Sequence, residues 1–281
     1  MKALLVFTTL IIFTATACGP NKEELAREKL ERAEQLFAGK KFNDAKLEID
    51  SIEELYPGQI EFITRGQDLL RQIRIEEQKQ SMAFLDSMLH LKEAELNPLM
   101  KNFIISDDYG KKKILIHKRQ KPENSYARTY LRAHLDLEGN FYISSRYTGT
   151  ERIYHDQIKV YFSGNNVLSE VVPEDGFNNR HFEDGENHWE VINFKDGKDN
   201  GVIDFIASNA DQSLKVQFRG KKYYYIVMEK FDKEAIRDGY EISFVLKEIQ
   251  HIKDEIEKVK AAASTDGILH ERKRGGALNT K

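Results

Sequence analysis

The chain has 281 residues, with 43 Lys and Arg against 46 Asp and Glu and a formal net charge of −3. Charges this balanced exclude the strongly basic surface of a nucleic-acid-binding domain. Cys18 is the only cysteine, so no intrachain disulfide and no multi-thiolate metal site can form, and the fold must rest on packing.

The N-terminus reads as a secretory signal: Lys2, an apolar run over residues 3–13, then small residues. The run falls short of the roughly 20 apolar residues that span a bilayer. Ala15-Thr16-Ala17-Cys18 resembles the lipobox of bacterial lipoproteins, with Ala15 where that family usually has Leu. The resemblance implies cleavage after residue 17 and acylation of Cys18. Two or more acyl chains make a stable anchor, at about 0.8 kcal/mol per buried CH₂. Gly19 stands where an Asp retains such proteins at the inner membrane, which implies the outer membrane of a Gram-negative cell. Lys22-Glu23-Glu24 resembles an export signal to the outer face, and equally suits the positive end of a helix dipole. Which face the protein occupies therefore stays open.

Residues 22–56 predict two helices. Leu25, Leu30, Ala33, Leu36 and Phe37 recur at helical spacing, Gly39 supplies a C-terminal stop, and Phe42, Ala45, Ile49, Ile52 and Leu55 form a second stripe that ends at Tyr56-Pro57-Gly58. Ala33, Gly39, Phe42, Ala45 and Tyr56-Pro57 resemble one tetratricopeptide repeat, which implies a closely packed helical hairpin over residues 18–58. A solenoid needs about three such repeats, and no second copy is evident. Residues 59–97 predict one long helix, with Ile63, Leu70, Phe84 and Leu91 on a shared heptad position. Residues 232–262 predict another, with Ile242, Val245, Ile249, Ile252, Ile256 and Val259 forming a coiled-coil seam. Two such narrow seams should pair antiparallel, with a domain over residues 98–231 inserted between them.

In that insert the period changes to two. Over residues 126–137, Ala127, Thr129, Leu131, Ala133, Leu135 and Leu137 share one face, while Tyr126, Arg128, Tyr130, Arg132 and His134 share the other. Glu138-Gly139-Asn140 turns into a partner strand beginning at Phe141. Further strands are expected at 158–162, 166–172, 188–194, 202–207, 214–218 and 222–230, joined by Gly- and Asn-rich turns. Residues 263–281 have few apolar groups and read as a disordered tail. The expected fold class is α+β: an N-terminal helical hairpin, long antiparallel coiled-coil helices and an inserted antiparallel β-rich domain.

Candidate chemistry is sparse. His181, Glu183, Asp184, Glu186 and His188 bring together metal-ligating types, but their spacing fits no metal motif and suits a solvated loop. Residues 196–201 weakly suggest a calcium loop, but Lys198 occupies a ligand position, and a turn is the better account. No nucleophile, phosphate-loop or dinucleotide motif occurs, so neither a catalytic residue nor a cofactor is expected. Nine of the twelve tyrosines and Trp189 lie between residues 126 and 225. Tyr126, Arg128, Tyr130, Arg132 and Trp189 are the candidate ligand platform for a glycan or peptide; cross-strand packing explains the rings equally. The leading expectation is a non-catalytic envelope lipoprotein, anchored in the membrane through Cys18, that docks another envelope protein. The alternative is a surface binding module using the aromatic face.

Overall fold

The computed structural model describes residues 21–107 and 113–277, with side chains through residue 264. The expected signal sequence (residues 1–17) and the expected acylation site, Cys18, lie outside the described residues. The protein is α+β and divides into two units, residues 1–82 with 263–281, and residues 83–262. No described helix is long and apolar enough to cross a membrane.

In the first unit, α1 (Lys22–Ala38) and α2 (Phe42–Leu55) form the expected hairpin. The Asn21 side chain accepts the Glu23 N–H and so caps α1. Ala26, Leu30 and Ala33 pack with Ala45, Ile49 and Ile52. Phe62, Leu69 and Ile73, from the first half of α3 (Ile60–Leu99), enter the same core. The hairpin is therefore covered by a third helix. Gly66 permits the approach, since a Cβ there would lie 2.9 Å from Ile49 Cγ2.

The second unit holds two antiparallel sheets. The larger has strand order β1 (Phe103–Ser106), β2 (Ile114–His117), β3 (Tyr130–Asp136), β4 (Phe141–Gly149), β8 (Asn187–Phe194), β7 (Asn179–Asp184). The smaller is ordered β10 (Tyr223–Val227), β9 (Lys215–Arg219), β5 (Gln157–Phe162), β6 (Asn165–Leu168). Leu131, Ile143, Tyr147, Ile192 and Phe194 from the first pack with Ile158, Val160, Val216 and Phe218 from the second. This is the two-layer burial that period-two patterning demands.

Several expectations change. The strand predicted at 126–137 begins only at Tyr130; a short helix, α4 (Pro122–Ser125), precedes it. The predicted strand at 202–207 is a helix, α5 (Val202–Ser208). Asp199 accepts the N–H groups of Gly201 and Ile203 there, and Val202, Ile203 and Ile206 bury at helical spacing. A short apolar run carries no periodicity that separates the two states. The last helix, α6, spans Lys230–Ala277, so the segment expected to be a disordered tail is helical through Ala277.

The helix seam is half right. Ile242, Val245, Ile249, Ile252 and Ile256 are buried on α6. Leu96 and Leu99 of α3 pack with Ile242 and Leu246, and Lys92 bridges Glu248 at 2.8 Å, so the two helices run antiparallel in this unit. On α3, however, Phe84 and Leu91 are 64% and 61% exposed; from residue 84 to the end of the helix the half-buried positions are Leu85, Met88, Leu89, Lys92, Leu96 and Leu99. Ile63 and Leu70 pack on the α1–α2 core, and a straight helix drifts about 20° per heptad from a 3.5 repeat, so their phase does not predict the seam at residue 84.

Candidate functional site

The predicted platform forms a cluster, but not an open one. Tyr126 is 58% exposed, whereas Tyr130 and Trp189 are buried at 1% and 3% exposure. Period two correctly puts Tyr130 opposite Leu131, but it does not say what covers that face. The cover comes from Arg128, 4.8 Å from the Tyr130 ring and 4.7 Å from that of Phe231 on α6. Arg128 is itself committed to the buried carboxylate of Asp232, so it is a packing residue rather than a ligand-binding one. The Gln120 side chain fixes this arrangement. Its amide accepts the Ala133 N–H and donates to Leu131 O and to Asp232 at 2.9–3.0 Å. Trp189 stacks on Phe182 with centroids 5.9 Å apart and touches the Tyr126 ring at 5.0 Å.

The fifth predicted residue, Arg132, belongs to a different feature. On the face of the larger sheet turned away from the core, two contiguous clefts of about 470 and 260 Å³ meet at Arg132, His134, Arg180 and Asn193. Lys195, Tyr142 and Phe177 line the larger cleft; Arg146, Ser144 and Phe182 line the smaller. Strand register explains the convergence. Arg146 on β4 pairs with Val191 on β8, and Val191 with Arg180 on β7; Arg132 pairs with Ser144, and Ser144 with Asn193. Directly opposed residues share a face, so β3, β4 and β7 aim Arg132, Arg146 and Arg180 to one side, and Lys195 follows just beyond β8.

The electrostatics agree with the geometry. Burial pushes the His134 imidazole well below its ordinary range, and Arg132, Arg146, Lys195 and Arg180 all push it the same way. His134 stacks on Tyr142 with centroids 4.5 Å apart and lies 2.8 Å from Ser144 Oγ. Among the described residues Arg146, Arg180 and Lys195 have no ion-pair partner, and Arg146 Nε is buried without a hydrogen bond. The nearest carboxylate lining the cleft, Asp136, is held in the β3–β4 turn by the N–H groups of Glu138 and Asn140. Phe177 is held at the rim because Asp175 accepts its N–H and those of Asn178 and Asn179. Those hydrogen bonds also keep the Asp175 carboxyl below its usual range. Guanidinium and ammonium groups such as Arg146, Arg180 and Lys195, left without ion-pair partners over rigid strands, have the chemistry to attract anions.

A second constellation has the geometry of a nucleophile, a base and its orienter. Ser145 Oγ lies 2.8 Å from His155 Nε2, and His155 Nδ1 lies 2.7 Å from Glu190 Oε2. Glu190 also accepts the N–H groups of Ile153, Tyr154 and His155. Burial alone would raise the Glu190 carboxyl, but these hydrogen bonds outweigh it and hold the group below its ordinary range. Burial keeps His155 low despite Glu190. An ionised Glu190 and a neutral His155 that donates from Nδ1 and accepts from Ser145 satisfy every member. All three side chains have zero exposure, so no substrate reaches Ser145. The array ties the β4–β5 connection to β8.

His181 and His188 separate. His181 turns inward beside Tyr154 and lies 3.6 Å from Glu174, whereas His188 pairs with Glu183 at 3.2 Å. No group of three or more metal-ligating side chains gathers among the described residues. The residue 196–201 loop is the turn that starts α5. Arg146, Arg180 and Lys195 went unnoticed in the sequence because their common face depends on register, and β7 was not among the expected strands. Glu190, an acid inside an apolar strand, was the one signal of the buried array. Comparison with protein-family models, curated proteins and solved structures gives no match to this chain.

Proposed function

We propose that this protein is a non-catalytic, lipid-anchored envelope protein whose β-rich unit binds an anionic ligand in the cleft on the outer face of its larger sheet. One observation carries the binding role: Arg132, Arg146 and Arg180 from three strands, with Lys195 just beyond β8, gather around His134. The lipobox-like Cys18 supports the anchor and the outer-membrane location. Titration with tripolyphosphate, followed by calorimetry, tests the cleft. Wild-type protein should bind it, more weakly as salt rises, and Arg180→Glu with Lys195→Glu should abolish binding. Binding unchanged in the double variant would refute the assignment. Exposed Phe84 and Leu91 on α3 and Phe244 on α6 favour a second reading, a scaffold that docks an envelope partner through helix faces.

A further inference from the structure

The cleft's dimensions and its aromatic margin narrow the ligand class, on the footing that the cleft is the anion site. Arg146 and Arg180 occupy one cross-strand row with β8 between them. Two strand spacings set their backbones about 10 Å apart. Arg132 lies one row further along, opposite Ser144 and Asn193, and Lys195 follows a further row along, just beyond β8. A single phosphate or carboxylate engages one guanidinium fork, or two that converge. Cations at this separation match a ligand with several anionic groups along its length.

Aromatic surface lies at both ends of the same path. At one end Phe177, 72% exposed, stands 5.8 Å from Lys195 Nζ, which also lies 4.8 Å from the Tyr142 ring. At the other, Phe182 stacks on Trp189, and the Arg146 guanidinium sits 5.8 Å from the Trp189 ring. Tyr126, in contact with Trp189, continues this surface to solvent. Trp189 Nε1 and Tyr130 Oη are buried there without a protein hydrogen-bond partner. Alternating cations and ring faces suit a chain of apolar-faced rings that carry negative substituents. The cleft also crosses the strands instead of following a free edge, so it offers no backbone ladder to an extended peptide.

We infer that the cleft binds an acidic oligosaccharide, with carboxylate or sulfate groups on Arg146, Arg180 and Lys195 and sugar faces against Phe177 and Phe182. The test is calorimetry on the mature chain with five probes: an oligogalacturonate, a heparin-derived oligosaccharide, neutral maltohexaose, hexaglutamate and tripolyphosphate. One of the two acidic sugars should bind at least tenfold tighter than hexaglutamate or maltohexaose. Arg180→Ala and Phe177→Ala should each weaken it by about tenfold, both being exposed side chains whose loss leaves the Trp189 fluorescence melt unchanged. Hexaglutamate or maltohexaose binding as tightly as the acidic sugars would overturn the inference. Acidic sugars that bind but ignore Phe177→Ala would overturn the ring contacts and with them the glycan class. Cleft-dependent binding of tripolyphosphate without either acidic sugar would overturn the glycan class alone and leave an anion site. Failure of all five would overturn both.

Discussion

Replacing Glu190 with Ala should destabilise the β-rich unit by about 3–5 kcal/mol, because several buried N–H donors lose their common acceptor. The substitution strips their acceptor from the N–H groups of Ile153, Tyr154 and His155 and from His155 Nδ1. Ile153 and His155 are buried, so water cannot replace it there, and each buried donor left unpaired costs about 1–3 kcal/mol. Glu190→Gln keeps one acceptor oxygen and should lose about half as much. Ser145→Ala removes only one donor and should cost about 1 kcal/mol. Trp189 is the sole tryptophan and adjoins Glu190 on β8, so its fluorescence in a urea titration reports this unit directly. The pH dependence has a definite sign. The folded carboxyl titrates below its ordinary value, so its stabilisation is complete above about pH 4.3 and fades as pH falls through the folded value. The gap between wild type and Glu190→Gln should therefore narrow in acid. A loss under 1 kcal/mol for Glu190→Ala would show that the array is not a structural tie.

Gly220→Ala should cost at least 2 kcal/mol in the same fluorescence assay, because a Cβ there would sit 2.2 Å from the carbonyl oxygen of Tyr154, and backbone cannot yield as a side chain does. Leu91→Glu, on the exposed face of α3, should shift the thermal midpoint by circular dichroism very little, whereas Ile249→Glu buries an unpaired charge in the α3–α6 seam and should lower it by many degrees. Equal effects would mean that the seam lies elsewhere. Cys18→Ser should release the protein from the membrane fraction, since acyl chains alone would hold it there; retention of the Ser variant in high salt would rule out the lipid anchor.

What the sequence disclosed follows from how local each signal was. The hairpin of α1 and α2 was legible because Ala33, Gly39 and Ala45 act within one or two turns, and the α6 seam because five branched residues keep a strict 3-4 spacing. The α3 seam failed because its phase is set by partners far along the chain. Residues 202–208 failed because seven residues cannot show a period, and the deciding contact is an Asp199 side chain. Arg132 was placed with Tyr130 by alternation alone. Its actual companions, Arg146, Arg180 and Lys195, come from strands whose pairing depends on the whole sheet. Tyr130 and Trp189 were located correctly and their accessibility was not, because the Arg128–Asp232 pair that closes over Tyr130 joins residues 104 apart.

The contact of Leu99 with Ile242 and Leu246 also sets an order of events. Bringing these positions together closes a loop of roughly 140 residues, at an entropic cost of about 4 kcal/mol in a flexible chain. A pair of narrow helix stripes recovers little of that cost until the sheets have already drawn the two ends near each other. The α3–α6 pairing in this unit therefore behaves as a clasp that shuts late. Seam substitutions such as Ile249→Ala should then speed unfolding while leaving the folding rate almost unchanged, so the clasp governs how long the β-rich unit persists rather than how quickly it forms.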